Sequence, residues 1–152
     1  VMPILSRLAE GRAWDLNANG PERPRDYMRL LANSKYSIHL YGDRPHSPRL
    51  YDLLTFGCVP VIISDNQILP YEWLLDWSKF SIRVTEDDVS DLPRMLDEAN
   101  YQSLHSELLK VIPFFQFHDE SILGDAFYMT MLGVNRQLSR CRVGDMNINA
   151  TN

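Results

Sequence analysis

The chain has 152 residues, of which 45% are hydrophobic and 23% charged, enough material for one globular core. Its formal net charge of −5 speaks against a general nucleic-acid binder, which carries a basic excess. Two cysteines, Cys58 and Cys141, and four scattered histidines supply neither a disulfide framework nor a four-ligand zinc site, and no apolar run is long enough to cross a membrane.

Residues 1–25 read as a lead-in segment. Gly20, Pro21 and Pro24 break any periodicity across 17–25. Asp26 is expected to cap a short helix over Tyr27–Asn33, with Tyr27, Leu30 and Leu31 on its apolar side. Tyr36–Tyr41, aromatic and β-branched in character, predicts a strand, and Gly42–His46 a polar loop. Ser47 is a good N-cap, and Pro48 then sits at the first helical position, where its missing N–H costs nothing. Leu50, Leu53 and Leu54 form an i, i+3, i+4 stripe, and Gly57 is placed to stop the helix in the left-handed conformation. Val59–Ile63 is a continuous apolar run, as in a strand buried on both faces. Pro60 has no N–H for a ladder, so it is expected at that strand's first residue. Ser64-Asp65-Asn66 closes the strand. Leu69–Trp77 reads as a helix or an aromatic-rich turn, and Phe80–Val84 as a third strand. Thr85 can cap a turn through Glu86, Asp87 and Asp88. Asp91–Ala99, Tyr101–Val111 and Ser121–Leu138 read as helices, and residues 139–152 as a loose tail.

This alternation predicts an α/β fold, a parallel sheet flanked by helices with right-handed crossovers. Ligands in such sheets bind at the carboxyl ends of the strands. The loop from Gly42 through His46 to Ser47 lies at one such end and leads into a helix whose free N–H groups and dipole attract anions. Ser47 can add a hydroxyl, Arg49 a guanidinium able to hold a phosphate through two parallel bonds, and His46 a contact to phosphate or base. Asp52 lies one turn beyond Arg49 and could accept hydrogen bonds from ribose hydroxyls. The same residues also describe a capped helix with an Arg49–Asp52 surface pair. Charge is uneven in a compatible way. Residues 1–50 hold eight Lys and Arg against five Asp and Glu, and residues 51–100 three against ten. A basic first third suits a small anionic ligand or a solvated surface with scattered arginines. Trp73, Trp77, Phe80 and the Phe114, Phe115, Phe117 cluster are candidates for a sugar platform, or for core packing. Cys58 reads as an inert buried thiol. There is no Asp-x-Asp motif, P-loop, dinucleotide fingerprint or nucleophile elbow.

The run Ser47-Pro48-Arg49-Leu50-Tyr51-Asp52 through Gly57-Cys58-Val59-Pro60-Val61 resembles the exostosin family of glycosyltransferases (GT47-like), whose pattern is Ser-x-Arg-Leu, an acidic residue, then Gly-Cys-Ile/Val-Pro-Val. Ser34-Lys35-Tyr36, Leu69-Pro70-Tyr71, Asp76-Trp77, Glu86-Asp87-Asp88-Val89 and Asp125-Ala126-Phe127 extend the resemblance over roughly residues 26–130. Many members carry Glu where this chain has Asp52. The resemblance implies a Rossmann-like domain over residues 26–138, similar to the C-terminal half of a GT-B glycosyltransferase. It implies a UDP-sugar donor, an inverting transfer to a glycan or polysaccharide, and a second, N-terminal GT-B domain that supplies the catalytic base. Arg49 and Ser47 would hold the donor diphosphate and Asp52 the ribose, with Gly42 and His46 at the same junction. No cofactor or metal motif accompanies them, so Arg49 and the helix N-terminus would meet the charge of the leaving diphosphate. Family members are mostly type II Golgi membrane proteins, so an anchor is expected upstream and a lumenal location for this segment. The Asn149-Ala150-Thr151 sequon fits a secretory route. Two other classes share the pattern: a non-catalytic nucleotide- or glycan-binding module, and a flavodoxin-like interaction domain.

Overall fold

The computed structural model describes residues 24–40 and 48–148. They belong to two compact units, one ending at Lys110 and the other beginning at Val111. In the first, α1 (Pro24–Ala32) leads to β1 (Tyr36–Leu40), and α2 (Pro48–Thr55) to β2 (Val59–Ile63). A 3-10 turn (Trp77–Lys79) precedes β3 (Ile82–Val84), after which come a second 3-10 turn (Asp87–Asp91), α3 (Leu92–Glu98) and α4 (Tyr101–Val111). The three strands are parallel, in the order β1-β2-β3. This is the α/β sheet that alternating helices and strands predict.

The register places Ile38 beside Val61, and Val61 beside Ile82. Because side chains alternate, Ile38, Leu40, Val61, Ile63 and Val84 share one face. There they pack with Val89, Leu92, Met95 and Leu96 from the segment after β3. The opposite face carries His39, Ile62 and Arg83, side by side across the three strands. α2 packs on β1 and β2, and Leu31, Leu53 and Cys58 join α1 to α2 in a second cluster with Tyr27 and Phe56.

The end of α2 follows the expected chemistry closely. Gly57 has φ +71°. The Gly57 N–H donates to the Leu54 carbonyl and the Cys58 N–H to the Leu53 carbonyl, each at 3.0 Å. This pair of bonds is a Schellman motif, completed by the apolar contact of Cys58 with Leu53. β2 is buried at every residue.

Other elements differ from the sequence expectation. α1 begins at Pro24, so Asp26 lies inside the helix and not at its N-cap position; proline is at home in a first turn, where its N–H is not needed. Pro60 is the second residue of a central strand, paired with Ser37. The Val59 N–H donates toward β1, to the Lys35 carbonyl at 2.9 Å, so the proline nitrogen faces the other side. β3 pairs only from Val61 onward, and no ladder bond is lost. The third strand starts at Ile82 and not at Phe80, because the Ser81 N–H and hydroxyl both bond to the Trp77 carbonyl, at 3.0 and 2.7 Å. Leu69–Trp77 is a turn, with Tyr71 at φ +55°. Thr85 and Asp88 cap each other as expected, with the Asp88 N–H on Thr85 Oγ1 at 3.2 Å and the Thr85 hydroxyl on Asp88 Oδ2 at 2.6 Å.

In the second unit a 3-10 turn (Ile112–Phe115) is followed by α5 (Ala126–Ile148). α5 starts five residues after Ser121 because Asp125 is its cap. The carboxylate accepts from the Tyr128 N–H at 2.7 Å, the Ile122 N–H at 3.0 Å and the Ser121 hydroxyl at 3.1 Å. These bonds, the one from Tyr128 foremost, hold its pKa below the ordinary 3.8. The helix also continues past Ser139, where a loose tail was expected, as far as Ile148; no proline stops it. Among the described residues no helix is long and apolar enough to cross a membrane.

Candidate functional site

The carboxyl ends of the three parallel strands, at Leu40, Ile63 and Val84, form one edge of the sheet. α2 rises from that edge after the connection from β1. Gly42, His46 and Ser47 belong to that connection and lie outside the described residues. The other two sequence-predicted residues fall on α2 itself. Arg49 is its second residue, on the exposed side, and Asp52 follows one turn later. Leu50, Leu53 and Leu54 are buried beneath them, so the amphipathic pattern of Pro48–Thr55 directs Arg49 away from the core.

Asp52 is half-buried and holds α1. The Tyr27 hydroxyl donates to Asp52 Oδ2 at 3.3 Å. Burial and the nearby Asp52 charge raise the Tyr27 pKa above its ordinary 10, so Tyr27 stays a donor. One carboxylate oxygen thus fixes the helix pair.

Beside α2 a polar chain crosses the face of the sheet that carries His39. His39 is 1% exposed and Gln67 is also buried. The Gln67 side-chain nitrogen faces His39 Nε2 at 3.1 Å. The Gln67 backbone N–H is held by the Ser64 hydroxyl at 3.1 Å, and its carbonyl accepts from Arg83 at 3.1 Å. Arg83 in turn pairs with Glu72 at 3.0 Å, and Glu72 accepts from the Leu69 N–H at 3.1 Å. Burial, then the Arg49 charge, lowers the His39 pKa below 6.5 against the opposing bond to Gln67. The ring is therefore neutral at pH 7. The sequence reading passed over both His39 and Gln67. The available signal was a histidine between Ile38 and Leu40, polar in a parallel strand that should be apolar on both faces. At the ends of β2 and β3, Asp65 Oδ1 accepts from the Glu86 N–H at 3.1 Å and ties the two loops together.

The aromatic candidates separate. Trp77 and Phe80 are core, with ring centroids 4.8 Å apart, and the Trp77 indole N–H donates to the Pro70 carbonyl at 2.9 Å. Trp73 is 38% exposed and lines an open cleft of about 360 Å³ with Glu72, Asp76 and Arg83. Phe114 and Phe115 are half-buried in the second unit, and Phe117 is exposed there. Cys58 is buried, donates from Sγ to the Leu31 carbonyl at 3.1 Å, and has its pKa pushed up to about 11 by desolvation. It is a packing residue and not a nucleophile.

A family model described as Exostosin GT47 domain matches residues 3–99. The chain is 29% identical over 144 residues to a probable glucuronosyltransferase of Oryza sativa subsp. japonica, covering 88% of this chain and 34% of the relative. It is 34% identical over 107 residues to a probable glycosyltransferase of Arabidopsis thaliana, 68% of this chain and 23% of the relative. It is 28% identical over 144 residues to the probable beta-1,4-xylosyltransferase IRX10 of Arabidopsis thaliana, 88% of this chain and 35% of the relative. The chain thus spans about a quarter to a third of the length of these curated relatives.

Proposed function

Because the chain belongs to the exostosin GT47 family, we propose that residues 26–138 form the donor-binding half of a glycosyltransferase. The parent enzyme transfers a sugar from a UDP-sugar to a glycan or polysaccharide acceptor, with inversion at the anomeric carbon. The observation that carries this reading is Arg49, exposed in the first turn of an eight-residue helix that rises from the carboxyl edge of a parallel sheet. A guanidinium in that first turn, beside the free N–H groups of the helix, is placed to hold a diphosphate.

The chemistry follows from where charge develops. As the sugar C1–O bond breaks, negative charge grows on the departing diphosphate. Arg49 can take it through two parallel N–H···O bonds, and the first-turn N–H groups of α2 supply further donors with no reorganisation. Gly42, His46 and Ser47 complete the phosphate pocket in this reading. Asp52 keeps Tyr27 on one oxygen and accepts a ribose hydroxyl on the other. Inversion also requires a base for the acceptor hydroxyl, which we assign to a second GT-B domain. The setting is the Golgi lumen, with a membrane anchor elsewhere in the parent chain. Glucuronic acid and xylose are the first sugars to try, since relatives are named a probable glucuronosyltransferase and a probable beta-1,4-xylosyltransferase.

Arg49→Ala in the full-length protein tests the site. Losing charged hydrogen bonds to phosphate costs about 2–3 kcal/mol, or ~30- to 150-fold in affinity. Calorimetric titration should show UDP binding weakened by that factor at an unchanged melting temperature, since the side chain lies off the buried stripe. Equal UDP affinity with and without the Arg49 side chain refutes the assignment.

A further inference from the structure

The His39 ring is buried on the sheet face that carries Ile62 and Arg83. Its Nε2 end is taken by Gln67, at 3.1 Å. Its other nitrogen, Nδ1, is buried with no hydrogen-bond partner among the described residues. With an amide N–H of Gln67 directed at Nε2, that nitrogen is the acceptor, and the neutral ring carries its proton on Nδ1. A buried N–H left without an acceptor is costly, of order ten- to a hundredfold in a folding equilibrium, so an acceptor brought to it by a ligand is rewarded.

Its location names the ligand. His39 is the penultimate residue of β1, at the carboxyl edge where α2 rises. The Arg49 charge acts on the ring, and α2 packs on β1. A neutral N–H donor at that strand edge, where the Arg49 charge is felt, suits an anionic oxygen and disfavours a cation. We infer that His39 is a further donor-binding residue, whose Nδ1–H donates to a diphosphate oxygen of the bound nucleotide and whose ring is set by Gln67 and, through the Gln67 carbonyl, by Arg83. This rests on the donor site placed at Arg49. Three supports in series, Ser64 to Gln67, Gln67 to His39 and Arg83 to Gln67, hold the imidazole as a preformed contact.

Two amide substitutions separate the ring's two nitrogens. His39→Asn places an amide near the Nδ1 position and gives up the Gln67 contact. His39→Gln reaches the Nε2 position and gives up Nδ1. UDP and uridine are titrated calorimetrically into full-length wild type and both variants, with melting temperatures taken on the same samples. His39→Gln should weaken UDP by about tenfold or more and leave uridine unchanged, while His39→Asn keeps UDP within a few-fold even where it melts lower. Equal loss of UDP and uridine in His39→Gln, or UDP affinity that follows the melting temperature across both variants, overturns the inference and makes His39 a packing residue. UDP affinity in His39→Gln equal to wild type overturns it while leaving the Arg49 site standing, provided that Arg49→Ala still loses UDP. No UDP binding by the wild type overturns both.

Discussion

Gly57 joins the proposed donor helix to the central strand, and replacing it measures how much of that junction is backbone conformation. The residue sits at φ +71°, a region that costs an L-residue with a Cβ roughly 1–2 kcal/mol. A Cβ built there would lie 3.8 Å from His105 Nε2, an ordinary contact, so the penalty is conformational and not steric. Gly57→Ala should therefore destabilise by about 1 kcal/mol after allowing for the lower chain entropy of the unfolded variant. For a domain of this size, that corresponds to about 2–4 °C in melting temperature. Gly57→Asn should cost less, since asparagine visits the left-handed region more readily. Gly57→Val should cost more, because β-branching disfavours it further. Thermal denaturation of the three variants, followed by circular dichroism, gives the order Asn, Ala, Val in increasing cost. Equal melting temperatures for glycine and alanine would refute the Schellman reading. A loss of ~4 kcal/mol or more that is the same for alanine and asparagine would mean a clash in place of backbone strain.

The remaining predictions concern groups that the site does not use. With its pKa pushed up to about 11, Cys58 in a Cys141→Ser background should react with a thiol reagent at pH 8 about a hundredfold more slowly when folded than in denaturant; equal rates would contradict its burial. Asp125→Ala should speed hydrogen exchange at the Tyr128 and Ile122 amides, which the carboxylate now accepts. Because the folded pKa of Asp125 lies below 3.8, its contribution to stability is fully present above that value and is lost as pH falls through the folded value. The melting temperatures of wild type and variant should therefore differ at pH 7 and converge in acid. A gap unchanged down to pH 2 would show that the carboxylate charge is not what caps α5.

Legibility in the sequence followed the density of local chemistry. α2 and β2 could be read almost to the residue, because proline marks the start of the helix, a leucine stripe its buried side and glycine its end, and five apolar residues follow. α4 was equally clear, Tyr101–Val111 in both readings. Phe80 and Ser81 were read as strand because their composition suits one, yet the Trp77 carbonyl accepts from both the Phe80 and the Ser81 N–H at the end of the 3-10 turn, a local choice that composition does not encode. The start of α5 was missed because Ser121 is as plausible a cap as Asp125, and only the geometry shows which side chain collects the free N–H groups. Pro60 was misplaced by one residue because the rule against proline in central strands depends on where the neighbouring strand begins, and β3 is short.

The site divided in the same way. For the proposed site, the places of Arg49 and Asp52 on α2 were legible because helix position and charge are local properties. His39 was not, since its meaning depends on three other chain segments: Gln67 from the loop after β2, Arg83 from β3, and Arg49 from α2. A stable sheet alone would be better served by valine or isoleucine at position 39 with an apolar residue in place of Gln67, since the two buried polar side chains meet each other. The histidine instead keeps a polar edge inside the core, and the polar chain from Gln67 to Arg83 and Glu72 is present to orient it. Such an arrangement costs stability unless something accepts the remaining N–H. A diphosphate oxygen at the proposed donor site would offset that cost.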